Sequence, residues 1–384
     1  MFLDKVKSRN KRLIDIAVKM HQKGEIMPDS YIIDIDTLLS NAKKMLEVAK
    51  QNNVRLLFML KQLGRNPYIA KKLVDLGYEG AVVVDYNEAK IMMRNNIPIG
   101  NIGNLVQIPQ KMIGEIIDYG VDVITVFSIE KLTLINEIAK TKNKVQKIII
   151  KVYSDDDIFY SGQESGIYID DLQQFLSETD KLSNIKIVGV TSFPAFLYEK
   201  KSKSIEKQNN YFTIMKAKNI LEKSGIEVNH VNLPSATCIK NIKENFDMEN
   251  LVGEPGHGLS GTTPAHVYED LDEIPCVVYL TEISHNFKKN AFAYGGGYYR
   301  RSNVYNALVG NYECLSQDKI IKMDNDSIDY YFQLDNNHNV GDSVVMAFRF
   351  QIFVTRSKVV LIENIENNYK IVGVYDSLGR KYDE

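Results

Sequence analysis

Between residues 55 and 253 the chain repeats one pattern. A short apolar run rich in β-branched residues is followed by a stretch with helical spacing. The runs are 55–60, 80–85, 102–107, 122–127, 147–153, 186–191, 228–233 and 250–253, with helical stretches such as 66–76, 87–95, 109–118 and 205–224 between them. Strands that are apolar on both faces, alternating with helices, make a buried parallel sheet. Eight of them close into a (β/α)8 TIM barrel, so the fold class is α/β. A ninth run at 31–36, followed by a helix over 37–51, precedes the series and must belong elsewhere.

Beyond about residue 265 the pattern changes. The runs 276–282, 305–309, 343–348, 350–355 and 370–375 are short and separated by polar turns, as in an antiparallel β domain. Residues 1–23 have the pattern of one charged amphipathic helix that stops near Gly24. The expected organisation is residues 1–36 as helix and lead-in strand joining the β domain, 37–265 as the barrel, and 266–384 as the C-terminal antiparallel β domain. No linker marks the second boundary.

An apolar content of 44% supports a sizeable core, and Lys+Arg 47 against Asp+Glu 49 leaves a net charge of −2. No nucleic-acid surface is expected from that balance. Cys238, Cys276 and Cys314 are far apart and form no metal-ligand motif. They predict a reducing compartment and no disulfide framework. The charged N-terminal segment is unlike a signal peptide, and no uncharged apolar stretch is long enough to span a membrane. The expectation is a cytoplasmic protein without a metal.

Chemistry enters at strand ends. Lys61 closes the run 55–60 and opens the turn 62–67. The carboxyl end of a barrel strand is where barrel enzymes keep their reacting groups, and desolvation there makes a lysine a usable amine nucleophile. Glu-Pro-Gly-His-Gly-Leu-Ser-Gly (254–261) follows the last barrel strand. Gly256 and Gly258 let backbone N–H groups approach a phosphate closely. Arg65 can bind a phosphate through its planar fork, or cap a helix. Ser235 and Thr237, after the run 228–233, carry hydroxyls suited equally to a phosphate or to a helix N-terminus. Asp155, Asp156 and Asp157 follow 147–153. They are either a solvated loop or, if one turns inward, a group for a cationic substrate.

The lead-in Tyr-Ile-Ile-Asp-Ile-Asp-Thr-Leu-Leu-Ser-Asn-Ala (31–42), Lys61 and Val-Val-Asp-Tyr-Asn-Glu-Ala (83–89) resemble the alanine-racemase-like family of pyridoxal 5'-phosphate (PLP) enzymes. Residues 151–157, 162–166, 254–257 and 294–301 resemble, more closely, its YhfX subgroup. The resemblance runs from Tyr31 to the end. It implies a Schiff-base lysine at Lys61, with PLP phosphate at Gly256, His257 and Gly258 and contacts from the turn of Ser235 and Thr237, while Arg65 stands where racemases often have a phosphate-contacting tyrosine. It also implies a homodimer in which Tyr294 crosses to the partner as second acid/base, with Arg300 and Arg301 candidates to lower its pKa. Ser327-Ile328-Asp329 partly matches a segment that reaches the partner's site. Racemases of the family set an arginine against the pyridine nitrogen, whereas the related decarboxylases have Glu-Pro-Gly, as at Glu254. Ser192 or Phe193 stands where racemases have a ring-stacking histidine.

Two bases on opposite faces, Lys61 and Tyr294, imply an amino-acid racemase. Glu254 favours a decarboxylase or eliminase. A PLP carrier without turnover is the third reading, and the long region 266–384 counts against it.

Overall fold

The computed structural model describes residues 1–324 and 326–382. They divide into two compact units, one of Lys44–Leu60 and Ala70–Gly256, the other of Met1–Lys43, Lys61–Ile69 and His257–Glu384.

The first unit is the barrel. Its parallel strands are Arg55–Leu56, Ala81–Val83, Ile99–Ile102, Val123–Val126, Gln146–Tyr153, Ile185–Thr191, His230–Asn232 and Leu251–Gly253. The last pairs with the first through Val252 with Arg55 and Gly253 with Leu56. Phe58 bridges Ala81, so the ring of strands closes. Helices on the outside are started by side chains: Asp85 accepts from Glu88 N at 2.9 Å and Ser128 from Lys131 N at 3.3 Å. The run expected at 102–107 lies earlier, at Ile99–Ile102. Gly103 turns with φ +99°, and the Gln107 side chain donates to Gly103 O and Thr125 O, which ends the strand.

Side-chain contacts sort the barrel interior into storeys; the strands are tilted, so register pairs such as Arg55 with Val252 climb from one storey to the next. At the amino-terminal mouth Arg55 pairs with Glu79 at 2.5 Å and Asp122 at 3.6 Å, and Lys147 with Asp122 at 2.8 Å. Above lie Leu57, Val82, Val123, Ile149 and Val252. The storey at the carboxyl ends is polar. Lys151 pairs in register with Thr191, and Thr191 with Asn232. Asn101, Thr125 and Glu254 add a hydrogen-bonded polar group to the barrel interior.

The second unit is a sheet in the order Leu315–Lys319, Asn306–Gly310, Ser343–Met346, Val277–Phe287, Ser30–Asp34, Lys358–Glu363, Lys370–Tyr375. Asn290–Tyr294 and Tyr331–Gln333 extend it from Val277–Phe287. The run expected at 31–36 is an interior strand of it, Ser30–Asp34, antiparallel to Val277–Phe287 and parallel to Lys358–Glu363. The N-terminal segment is two helices rather than one, Phe2–Arg9 and Lys11–Gln22, packed on the sheet by Leu3, Val6, Leu13, Ile14 and Val18. Asn10 breaks them. Its carbonyl accepts from Leu13 N, and its amide donates to Asp34 and Pro275 O at 3.0 and 3.1 Å. The segment 350–355 is not a strand: Ile352–Val354 is a 3-10 turn, closed by the Thr355 N–H and hydroxyl, which both donate to Ile352 O. Among the described residues no helix is long and apolar enough to cross a membrane.

Gly189 is a packing requirement of the barrel, since a Cβ there would lie 1.9 Å from His230 O. Gly189→Ala should lower stability by about 1–3 kcal/mol, as overpacked cores do. A urea midpoint unchanged from wild type would contradict this.

Candidate active site

In the barrel unit a hydrogen-bonded relay crosses the polar storey. Thr125 Oγ1 donates to Asn101 Oδ1 at 2.8 Å, and Asn101 Nδ2 donates to Glu254 Oε1 at 3.4 Å. Glu254 is 7% exposed, and its backbone N–H donates to Thr237 Oγ1 at 3.2 Å. A buried carboxylate held in this way is a fixed feature of the barrel mouth rather than a solvated turn. Gly256, at the end of this unit, is buried.

The turn after His230–Asn232 is strained, with Ser235 at φ +92° and Ala236 at φ +49°. Ser235 accepts from Phe196 N and spends its one hydroxyl proton on Phe196 O at 2.7 Å. The backbone N–H groups of Ala236 and Thr237 find no acceptor among the described residues. The turn can therefore offer backbone amides to an anion.

Lys151 reaches into the same storey and is 3% exposed. Its ammonium donates to Ser165 Oγ at 2.8 Å and lies 4.9 Å from the Phe127 ring centroid. Burial brings its pKa down to about 8. The acids that follow this strand diverge. Asp157 accepts from Ser154, Ser192 and Thr213 hydroxyls and locks the loop. Asp155 accepts from Tyr168, and Asp156 is exposed. Among the described residues no group of acids, histidines or cysteines is arranged to hold a metal. Phe193 packs against Tyr160, their ring centroids 5.6 Å apart.

In the other unit Lys61 opens the 3-10 turn Lys61–Leu63 and is half-buried. Arg65 is 4% exposed, adopts φ +52°, and lays its guanidinium 4.9 Å from the Phe353 ring centroid. His257 stands beside Thr262, with Nδ1 3.1 Å from Thr262 Oγ1 and Nε2 3.4 Å from Gln351 Nε2. Nε2 must then accept and Nδ1 carry the proton, so the ring is neutral. Burial, and then the charges of Arg349, Lys61 and His266, push its pKa well down. Gly258 is buried and its carbonyl accepts from Gly261 N at 3.2 Å.

Tyr294 ends the strand Asn290–Tyr294, 39% exposed, with its ring 6.0 Å from that of Tyr331. The following Gly295-Gly296-Gly297 turn is clamped by Asp329, which accepts from Gly296 N and Tyr298 N and pairs with Arg356 at 2.7 Å. Asp329 of the Ser327-Ile328-Asp329 segment is thus bound within its own chain, while Ile328 is exposed.

Residues 33–264 match the model of the alanine racemase N-terminal domain, and residues 278–372 that of the YhfX-like C-terminal domain. The chain is 40% identical to the Escherichia coli (strain K12) protein YhfX over 382 residues, 99% of each chain. The chain belongs to the alanine-racemase-like family, in its YhfX subgroup. In fold it is similar to alanine racemase from Clostridium difficile 630, with a TM-score of 0.63, 18% identity, and coverage of 92% of this chain and 99% of that one. Diaminopimelate decarboxylase from M. jannaschii aligns with a TM-score of 0.64 and 16% identity, covering 96% of this chain and 92% of that one. The alanine-racemase-like fold is that of PLP-dependent enzymes, among them racemases and decarboxylases.

Asn101, Asn104, Thr125 and Asn232 lie in no motif of the sequence, and Lys151 enters only as the first residue of the segment 151–157 that resembles the YhfX subgroup. One signal was available: Lys151 is a charge inside the otherwise apolar run 148–152. The others become a set only once register is known.

The neutral His257 gives a pH prediction. Its folded pKa lies below the unfolded value of about 6.5, so below that pH the unfolded chain binds a proton that the folded chain refuses. The stability it contributes is present above pH 6.5 and is lost as pH falls. The His257 ring should keep neutral-imidazole NMR shifts at pH 6. Titration at or above 6.5 would overturn the assignment.

Proposed function

We propose that this chain is a PLP-dependent enzyme acting at Cα of an amino acid, with racemisation the favoured reaction. Support for the cofactor comes from three places. The family normally binds it, Lys61 follows the first barrel strand, and the Ala236 and Thr237 amides suit a phosphate. Bound PLP supplies the electron sink that stabilises negative charge at Cα. Lys61 would hold the cofactor and move the Cα proton on one face. Glu254, fixed by Asn101, would face the pyridine nitrogen. Ala236, Thr237, Gly256 and Gly258 would supply backbone N–H groups to the phosphate. His257, as a neutral ring, would shape that turn rather than add charge.

Tyr294 of a partner subunit would move the proton on the opposite face, in a homodimer with shared sites. The observation that favours an exchange between subunits is the exposed apolar surface beside it: Ile328, Tyr330 and Tyr331 are all exposed. Such surface on one β unit is typical of an association face. The three free thiols, Cys238, Cys276 and Cys314, support a reducing, cytoplasmic setting.

Decarboxylation is the second reading, and the burial of Glu254 favours it. A carboxylate held against the ring nitrogen gives a full electron sink, which loss of CO2 needs more than racemisation does.

The purified protein should show the visible absorbance of bound PLP, and Lys61→Ala should abolish it. A colourless wild type that PLP cannot reconstitute would sink the reading. With a panel of L- and D-amino acids in deuterated water, exchange at Cα with inversion supports racemisation, and CO2 release supports decarboxylation. Glu254→Gln should lower kcat by about tenfold or more, roughly 1.4 kcal/mol on the barrier, with PLP affinity nearly unchanged. A change within about twofold would remove Glu254 from the chemistry.

A shared site makes a separate prediction. Lys61→Ala and Tyr294→Phe homodimers should each be inactive as racemases. Mixing and re-associating them should restore activity, because each hybrid dimer carries one intact site. No recovery in hybrids shown to form would refute the shared site.

A further inference from the structure

The polar storey of the barrel holds more than the relay to Glu254 uses. Asn104 is 1% exposed, and both its Nδ2 and its Oδ1 are without a hydrogen-bond partner among the described residues. Its backbone carbonyl lies 3.5 Å from the Lys151 ammonium, so the two residues adjoin. Among the described residues no carboxylate lies within ion-pairing distance of Lys151. Its short contact is Ser165 Oγ, which already donates its own proton to Gln163 O at 3.1 Å.

A buried amide with neither atom satisfied and a buried cation without a counter-charge are both costly. One kind of group meets the cation and the donor half of the amide: an oxygen bearing negative charge accepts from the ammonium and from the Asn104 NH2. A cationic ligand would be repelled by Lys151, and an apolar one would leave Asn104 unpaired.

We propose that Lys151 and Asn104 form a subsite for an anionic oxygen. That oxygen is supplied either by the carboxylate of the amino-acid substrate or by the ring hydroxyl of the cofactor. The subsite rests on the reading of the barrel as a PLP enzyme, and it narrows the substrate to amino acids if the carboxylate is the occupant. Lys151 is half-charged near pH 8, so an arriving anion draws the ammonium form and takes up a fraction of a proton.

The test is calorimetric titration of the PLP-loaded protein with propionate at pH 8, in two buffers of different ionisation enthalpy. Propionamide serves as the uncharged control. If the substrate carboxylate is the occupant, propionate binds with a buffer-dependent heat and propionamide does not. Lys151→Met then weakens propionate at least tenfold, and Lys151→Arg keeps binding but loses the buffer dependence. If the cofactor hydroxyl is the occupant, Lys151→Met instead raises the PLP dissociation constant at least tenfold and shifts its absorbance band. Asn104→Asp provides its own anion to Lys151 and should block either occupant while keeping the fold through the new ion pair. The subsite is refuted if propionate and PLP affinities of Lys151→Met and Asn104→Asp all stay within twofold of wild type. A wild type that takes no PLP fails the reading above. The propionate comparison on that protein then tests the subsite separately.

Discussion

A closed barrel must fill its interior with its own side chains, and register decides which ones meet there. In this chain the interior goes from ion pairs at one mouth, through an apolar middle, to amides, hydroxyls, a lysine and a glutamate at the other. Burying polar groups is unfavourable unless they find partners. The carboxyl-end storey meets that demand in part, with Thr125, Asn101 and Glu254 bonded in series and Thr191 bonded to Asn232. Asn232 Oδ1 and the Asn104 amide stay unpaired among the described residues. Unsatisfied buried groups collected at the active end of a barrel are what a ligand site contributes to the energy of the empty protein.

The β unit uses the opposite device. Its Gly295-Gly296-Gly297 turn is over-determined: Asp329 accepts from Gly296 N and from Tyr298 N just beyond it, and an added Cβ at Gly297 would meet the Tyr279 ring at 2.2 Å. Tyr31 donates to Gly297 O at 2.5 Å, and Tyr279 donates to Asp29 at 2.7 Å. Tyr294 thus leaves a rigid corner although its ring is partly exposed.

The barrel was legible because its signals are local. Apolar runs at regular intervals and a lysine at a run's end can be read in one window. The ends of several strands were not, since a glycine turn and the Gln107 side chain cut off the run at 102–107. The 3-10 turn at 352–354 has the composition of a strand and is bent by Thr355. Asn10 lies inside a helical periodicity, and only the distant Asp34 and Pro275 make it a break. Glu254 was found through its neighbours in sequence. Asn101 and Thr125 join it only through hydrogen bonds between different strands, which no single window of sequence contains.

The seam where the ring of strands closes has a mechanical consequence. The first and second barrel strands are joined by three hydrogen bonds, Glu79 N to Leu56 O, Phe58 N to Gly80 O and Val82 N to Phe58 O. Elsewhere, Gln146–Tyr153 and Ile185–Thr191 register six residue pairs. Local opening favours the joint with the fewest bonds. The joint between Ile99–Ile102 and Val123–Val126 registers only two pairs, so the seam beside Phe58 is one of several light joints in the ring. Opening of the barrel wall therefore has several cheap starting points, and the closing seam at Phe58 is among them.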